Sequence, residues 1–225
     1  LSQLFCLLLA RSLGLSHWAA IIVALGYSFC SYIQCWILHP HAGTAAFYPA
    51  LVWALVQLRR RISLRAFGLS ALILTLAILA GHVETAALLG LGSAMFAFFL
   101  PEGRVIRGRL IFFGSVLGVV ALAFAMSAVQ IVPFFDYLSE SGVVAERHRH
   151  QELYGLAATN GWHHALTIFD PDILGNHHGE YRGQISFFET GFFFGSGVLF
   201  LACFGFIAAM QRRLGLVLAA ALTLV

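Results

Sequence analysis

Residues 104–132 read RVIRGRLIFFGSVLGVVALAFAMSAVQIV. Three arginines lead into a run from Leu110 to Val132 that carries no charge. A helix that crosses a bilayer needs about 20 consecutive apolar residues, and this run supplies them. It does not alternate strictly between apolar and polar positions, so a barrel strand does not fit. The same pattern, an apolar run with arginine beyond one end, recurs along the chain. It sets the expected fold class: all-α, a polytopic transmembrane helical bundle.

Composition points to the same solvent. The 225 residues are 60% hydrophobic and 10% charged, with a mean hydropathy of +0.87. A soluble domain carries about 25% charged residues, so lipid is expected to cover what a water-soluble core cannot. Other spans are read at Trp18–Leu38, Ala42–Leu58, Ala66–Ala80, Ala86–Leu100 and Phe192–Met210. Partial spans end near Ala10 and begin at Leu214, making about eight in all. The chain opens on Leu1 and closes in an apolar run at Val225, so it is expected to be a piece of a longer protein.

Charge gives the expected sidedness. Every basic residue is Arg. Arg11, the group Arg59, Arg60, Arg61 and Arg65, the group Arg104, Arg107 and Arg109, and the pair Arg212 and Arg213 fall in alternate loops. The positive-inside rule assigns those loops to the cytoplasm. All His except His17 and all acids except Glu102 fall in the other loops. Three regions follow: helices with short outer hairpins over 1–135, a long extracytoplasmic loop with an interfacial helix over 136–191, and truncated C-terminal helices over 192–225. The cytoplasmic loops are short and hold no P-loop or Gly-rich dinucleotide motif, and no nucleic-acid partner is expected. Cys6, Cys30, Cys35 and Cys203 lie in apolar runs without CxxC spacing, which reads as inert thiols rather than a disulfide or zinc framework.

Polar residues converge on two outer hairpins, His39-Pro40-His41-Ala42-Gly43-Thr44 and Gly81-His82-Val83-Glu84-Thr85. The spans around the second are about 15 residues, or roughly 22 Å of helix, shorter than the ~30 Å hydrocarbon core. His82 and Glu84 are therefore expected to lie recessed. One reading is a pocket built from His39, His41, His82 and Glu84; the other is that they are helix caps and interfacial residues. Recessed ionisable groups favour a functional role for His82 and Glu84, and His41 reads more simply as structural.

The long loop offers a second set. Leu153 to Phe169 has helical spacing around Trp162 and reads as a surface helix. Asp170-Pro171-Asp172 could offer carboxylates to a divalent cation; Asp170 could equally cap a single turn that starts at Pro171 and ends at Gly175. His148, His150, His163, His164, His177 and His178 match no zinc spacing and read as solvated loop residues. Arg182 beside Tyr181 fits a phosphate or carboxylate clamp, or an interfacial anchor. No complete span carries an ionisable residue near its middle, and Gln34 and Gln130 are explained by helix-to-helix hydrogen bonds. Transporters commonly place ionisable groups at the midplane, so an outward-facing surface site fits better.

The order Trp36-x-x-His39-Pro40, Tyr48-Pro49-Ala50-Leu51, Gly81-His82-x-Glu84-Thr85 and Gln130-x-x-Pro133 resembles the YfhO-like bacterial membrane proteins. Pro171 to Gly175, Tyr181-Arg182-Gly183, Glu189 and Gly195 continue the likeness. The resemblance implies a GT-C type glycosyltransferase, with an active site on the outer face of the bacterial cytoplasmic (inner) membrane. Such enzymes pass sugar from a polyprenyl-phosphate carrier to an acceptor, here a cell-envelope polymer. It further implies that His39, His41, Tyr181, Arg182 and Glu189 meet substrate, and that Asp170 and Asp172 meet the lipid phosphate, the acceptor or a divalent cation. His82 and Glu84 are the candidates for catalysis within this window, and the base is expected in an outer loop upstream of it. The rival classes are a transporter or lipid flippase, which needs a polar path across the membrane, and a non-catalytic assembly subunit.

Overall fold

In the computed structural model, every regular element among the described residues is helical, and none is a strand. The structure describes residues 1–100, 106–142, 161–176, 178–180, 182, 193 and 195–210. The helices are α1 Ser2–Ser12, α2 His17–Ser28, α3 Ser31–Cys35, α4 Pro40–Ala45, α5 Tyr48–Arg60, α6 Leu64–Leu79, α7 Val83–Phe99, α8 Ile106–Met126, α9 Ala128–Glu140 and α10 Ser196–Met210, with a 3-10 helix at Gly161–Ile168. Among the described residues, two stretches are long and apolar enough to cross a membrane, His17–Cys35 and Gly108–Met126.

Local chemistry explains the starts. Ser16 and Ser63 each accept a backbone N–H three residues on, from Ala19 and Ala66, both at 3.3 Å; this satisfies one of the donors that a helix start leaves over. Pro40 and Pro49 occupy the first turns of α4 and α5, where a missing N–H costs nothing. Serine and threonine hydroxyls inside the helices bond back to the carbonyl four residues earlier: Ser70 to Ala66 and Thr75 to Ala71 at 2.8 Å, Ser93 to Leu89 and Ser127 to Ala123 at 2.6 Å. Polar side chains can thus lie in apolar surroundings with their hydrogen bonds made.

α5 is the centre of the core. Ala50, Leu51, Val52, Ala54, Leu55, Val56 and Leu58 are all buried, against α1, α6 and α7. Arg59, expected in a loop, lies instead in the last turn of α5 and is 0% exposed. Its guanidinium carbon stands 5.6 Å from the centre of the Phe112 ring of α8, a cation–π contact. The C-terminal end of a helix is also where a positive charge is favoured.

Three predicted spans are broken. Ala42–Leu58 divides at Ala46 and Phe47, between α4 and α5. Trp18–Leu38 is interrupted at Phe29 and Cys30, between α2 and α3. The freed groups find partners: Gln34 Nε2 donates to the Ser28 carbonyl at 3.1 Å, and Ser31 N–H donates to the carbonyl of Phe193 at 2.8 Å. Val198 of α10 also lies against Gly26 of α2. The run from Leu110 divides at Ser127, and α9 carries on to Glu140 with Pro133 inside it. Asp136 is therefore helical, where the long loop was expected to begin.

Candidate functional site

Two turns meet at one end of the bundle. The first joins α3 to α4, and the second joins α6 to α7. Gly81 lets the second turn close. Its φ is +107°, a value that residues with a Cβ rarely adopt, and an added Cβ would come 3.2 Å from Cβ of Pro40. The close approach carries His82 onto the first turn of α4.

His82 caps α7. Its Nδ1 accepts the backbone N–H of Thr85 at 3.1 Å and lies 2.7 Å from Thr85 Oγ1. A backbone N–H can only donate, so Nδ1 is the acceptor and the proton of the neutral ring is on Nε2. The Thr85 hydroxyl then also donates to Nδ1, and its oxygen can receive the Tyr32 hydroxyl across a 3.5 Å contact. The relay Tyr32 to Thr85 to His82 holds the imidazole in one orientation and one tautomer.

The faces of the rings are used as well. The His41 and His82 ring centres are 3.7 Å apart at 31°. Trp36 stacks on His41, at 4.1 Å and 22°. His39 is exposed and meets Trp36 edge-on at 5.3 Å and 83°. Glu84 is exposed in the first turn of α7, where a carboxylate is favoured by the helix dipole. Of the hairpin residues singled out from sequence, His39, His41 and His82 are thus brought together, with Glu84 two residues beyond. Tyr32 and Thr85 were missed as participants. Both are uncharged, and spacing alone gives no sign that they meet.

The long-loop set is built as a local turn. Asp170 Oδ1 accepts the N–H of Asp172 at 3.0 Å, Gly175 N–H donates to the Asp172 carbonyl at 2.8 Å, and Gly175 has a φ of +85°. This is the cap-and-turn alternative for Asp170. Arg182 N–H donates to the Leu174 carbonyl at 2.8 Å, folding the segment back on itself. The Arg182 guanidinium lies 3.6 Å from the Glu180 carboxylate, with both side chains more than four-fifths exposed, so water screens the pair. Tyr181 and Glu189 lie outside the described residues, as do His148, His150, His177 and the 153–160 part of the surface helix expected over 153–169. His164 is buried in the 3-10 helix, against the expectation of a solvated residue.

A divalent cation such as calcium takes six to eight oxygen ligands. Asp170 and Asp172 give two carboxylates, one with an oxygen already engaged. Among the described residues, no group of three or more His, Cys, Asp or Glu converges to hold a metal ion.

No family model, no curated protein and no solved structure matches this chain.

Proposed function

We propose that the chain is part of a polytopic membrane protein of about eight spans and acts as a GT-C type glycosyltransferase of the YfhO-like kind. It moves a sugar from a polyprenyl-phosphate carrier to an envelope acceptor at the outer face. The membrane reading is supported by α8, which is about 31 Å long at 1.5 Å per residue, close to the ~30 Å hydrocarbon core. Its side chains Leu110, Phe113 and Leu117 are each more than half exposed, and a soluble monomer rarely leaves so continuous an apolar face to water.

The observation that carries the site is the ring stack. Trp36 and His41 come from the α3–α4 turn and His82 from the α6–α7 turn, and they assemble on one end of the bundle, the end that the arginine pattern assigns to the outside. On this reading His82, oriented by Thr85, contributes its imidazole to the site that receives the carrier phosphate. Charge stabilisation of a departing phosphate by placed donors is the largest single lever in such a transfer. Glu84 is the nearby carboxylate able to take a proton from an acceptor hydroxyl. No step is routed through a metal ion.

The test is sugar transfer by the full-length protein in sealed membranes. His82→Ala is expected to lower transfer about a hundredfold at a normal protein level. Unchanged transfer at that level removes the stack from the site.

Helix breaks such as that between α2 and α3 favour the rival transport reading, because broken helices are typical of carriers. Substrate movement without any transferred sugar would select that class instead.

A further inference from the structure

An apolar opening contrasts in chemistry with the ring stack. α7 and α8 both pack on α6 but barely touch each other, and a half-open groove of about 460 Å³ runs between them with Leu74 and Ile78 of α6 along it. Its α7 wall is a strict helical stripe that includes Val83, Gly90, Ala94 and Phe98. All of its lining residues are apolar.

Two lining rings carry cations. The Arg109 guanidinium lies 5.7 Å from the centre of the Phe98 ring, and that of Arg59 lies 5.6 Å from Phe112. The groove thus has a positive end and an otherwise uncharged length. From Val83 to Phe99 it extends about 24 Å. An apolar groove of this length with a cation at one end matches a single hydrocarbon chain that carries an anionic head.

We infer that this groove holds one acyl chain of an anionic phospholipid, with the phosphate drawn to Arg109. The inference rests on the membrane reading above and is independent of the glycosyltransferase assignment. Exposed Arg109 makes the direct contact. The arginine end is the cytoplasmic one by charge, so the lipid belongs to the inner leaflet.

The experiment uses the full-length protein in nanodiscs of phosphatidylglycerol or phosphatidylcholine, with retained lipid counted by native mass spectrometry. Unmodified protein is expected to retain phosphatidylglycerol over phosphatidylcholine. Arg109→Gln should reduce that preference about tenfold, the loss of one charged hydrogen bond. Ala94→Phe, which fills the groove, should abolish retention of both lipids; Leu72→Phe, on an exposed face of α6, should not. A phosphatidylglycerol with a photoreactive acyl chain should label the α7 stripe of unmodified protein, which keeps the test independent of how the variants fold. Retention unchanged by Ala94→Phe, or labelling spread evenly over the exposed helices, overturns the inference. A peptide or second copy cross-linked in the groove overturns it as well. Failure of the chain to enter the bilayer at all defeats the membrane reading instead.

Discussion

α5 and α8 are both apolar helices of the same bundle, and they meet opposite surroundings. α5 is short, about 20 Å, and protein covers nearly all of it: Ala50, Ala54, Val56 and Leu58 are wholly buried. α8 is half as long again and hides only the stripe Phe112, Val119 and Ala123. The rest of α8, from Leu110 to Met126, turns leucine and phenylalanine outward. Hydropathy reads both as spans. What separates them is which neighbour satisfies the apolar surface: other helices for α5, and on our proposal lipid for α8.

The largest expected effect lies in α5. Leu51→Ala removes a side chain that is 1% exposed and touches the centre of the core. It should cost about 2–5 kcal/mol, measured by denaturant titration of the protein in micelles. A loss under about 1 kcal/mol would mean that α5 is not the packed axis.

Next comes the outward face of α8. Leu117→Arg should lower insertion of this helix by about 2.5–3.5 kcal/mol if lipid surrounds it, read by a reporter-tagged insertion assay. An unaffected insertion would put water there, and the contrast between the two helices would vanish.

A smaller test divides α8 itself. A Cβ at Gly118 would come 3.0 Å from the Phe67 ring of α6, while Gly114 has open space around it. Gly118→Leu should destabilise by about 1–3 kcal/mol through overpacking. Gly114→Ala should stabilise by about 0.5–1 kcal/mol through reduced backbone freedom. Thermal unfolding of the two variants side by side checks the sign; matching signs would mean that α8 does not dock by this face.

Much of the helical layout is readable from the sequence because it depends on neighbours in the chain. The predicted Ala66–Ala80 and Ala86–Leu100 runs correspond to α6 at Leu64–Leu79 and α7 at Val83–Phe99. The glycine and histidine between them mark the turn. Convergence of the two hairpins was also legible, since short loops between apolar runs leave their residues at a common end. The breaks were not. Phe29 and Cys30 look like any other apolar pair, and what makes an interruption affordable there is a carbonyl at Phe193, which no periodicity can report. The burial of Arg59 escaped for the same reason, because its partner ring belongs to α8. In the site, His82 was legible as an ionisable group in an unusual place. Its capping bond to Thr85 is a property of the helix start that the charge pattern does not encode.

The hydrogen bond from Ser31 to Phe193 also has a bearing on synthesis. The donor emerges first, and its acceptor lies 162 residues later in the chain. At roughly 5–20 residues per second that is a wait of about 8–30 s. During that interval the elbow between α2 and α3 has one N–H without its final acceptor. The N-terminal part of the bundle can thus be threaded early, yet it reaches its finished form only when the C-terminal part is delivered.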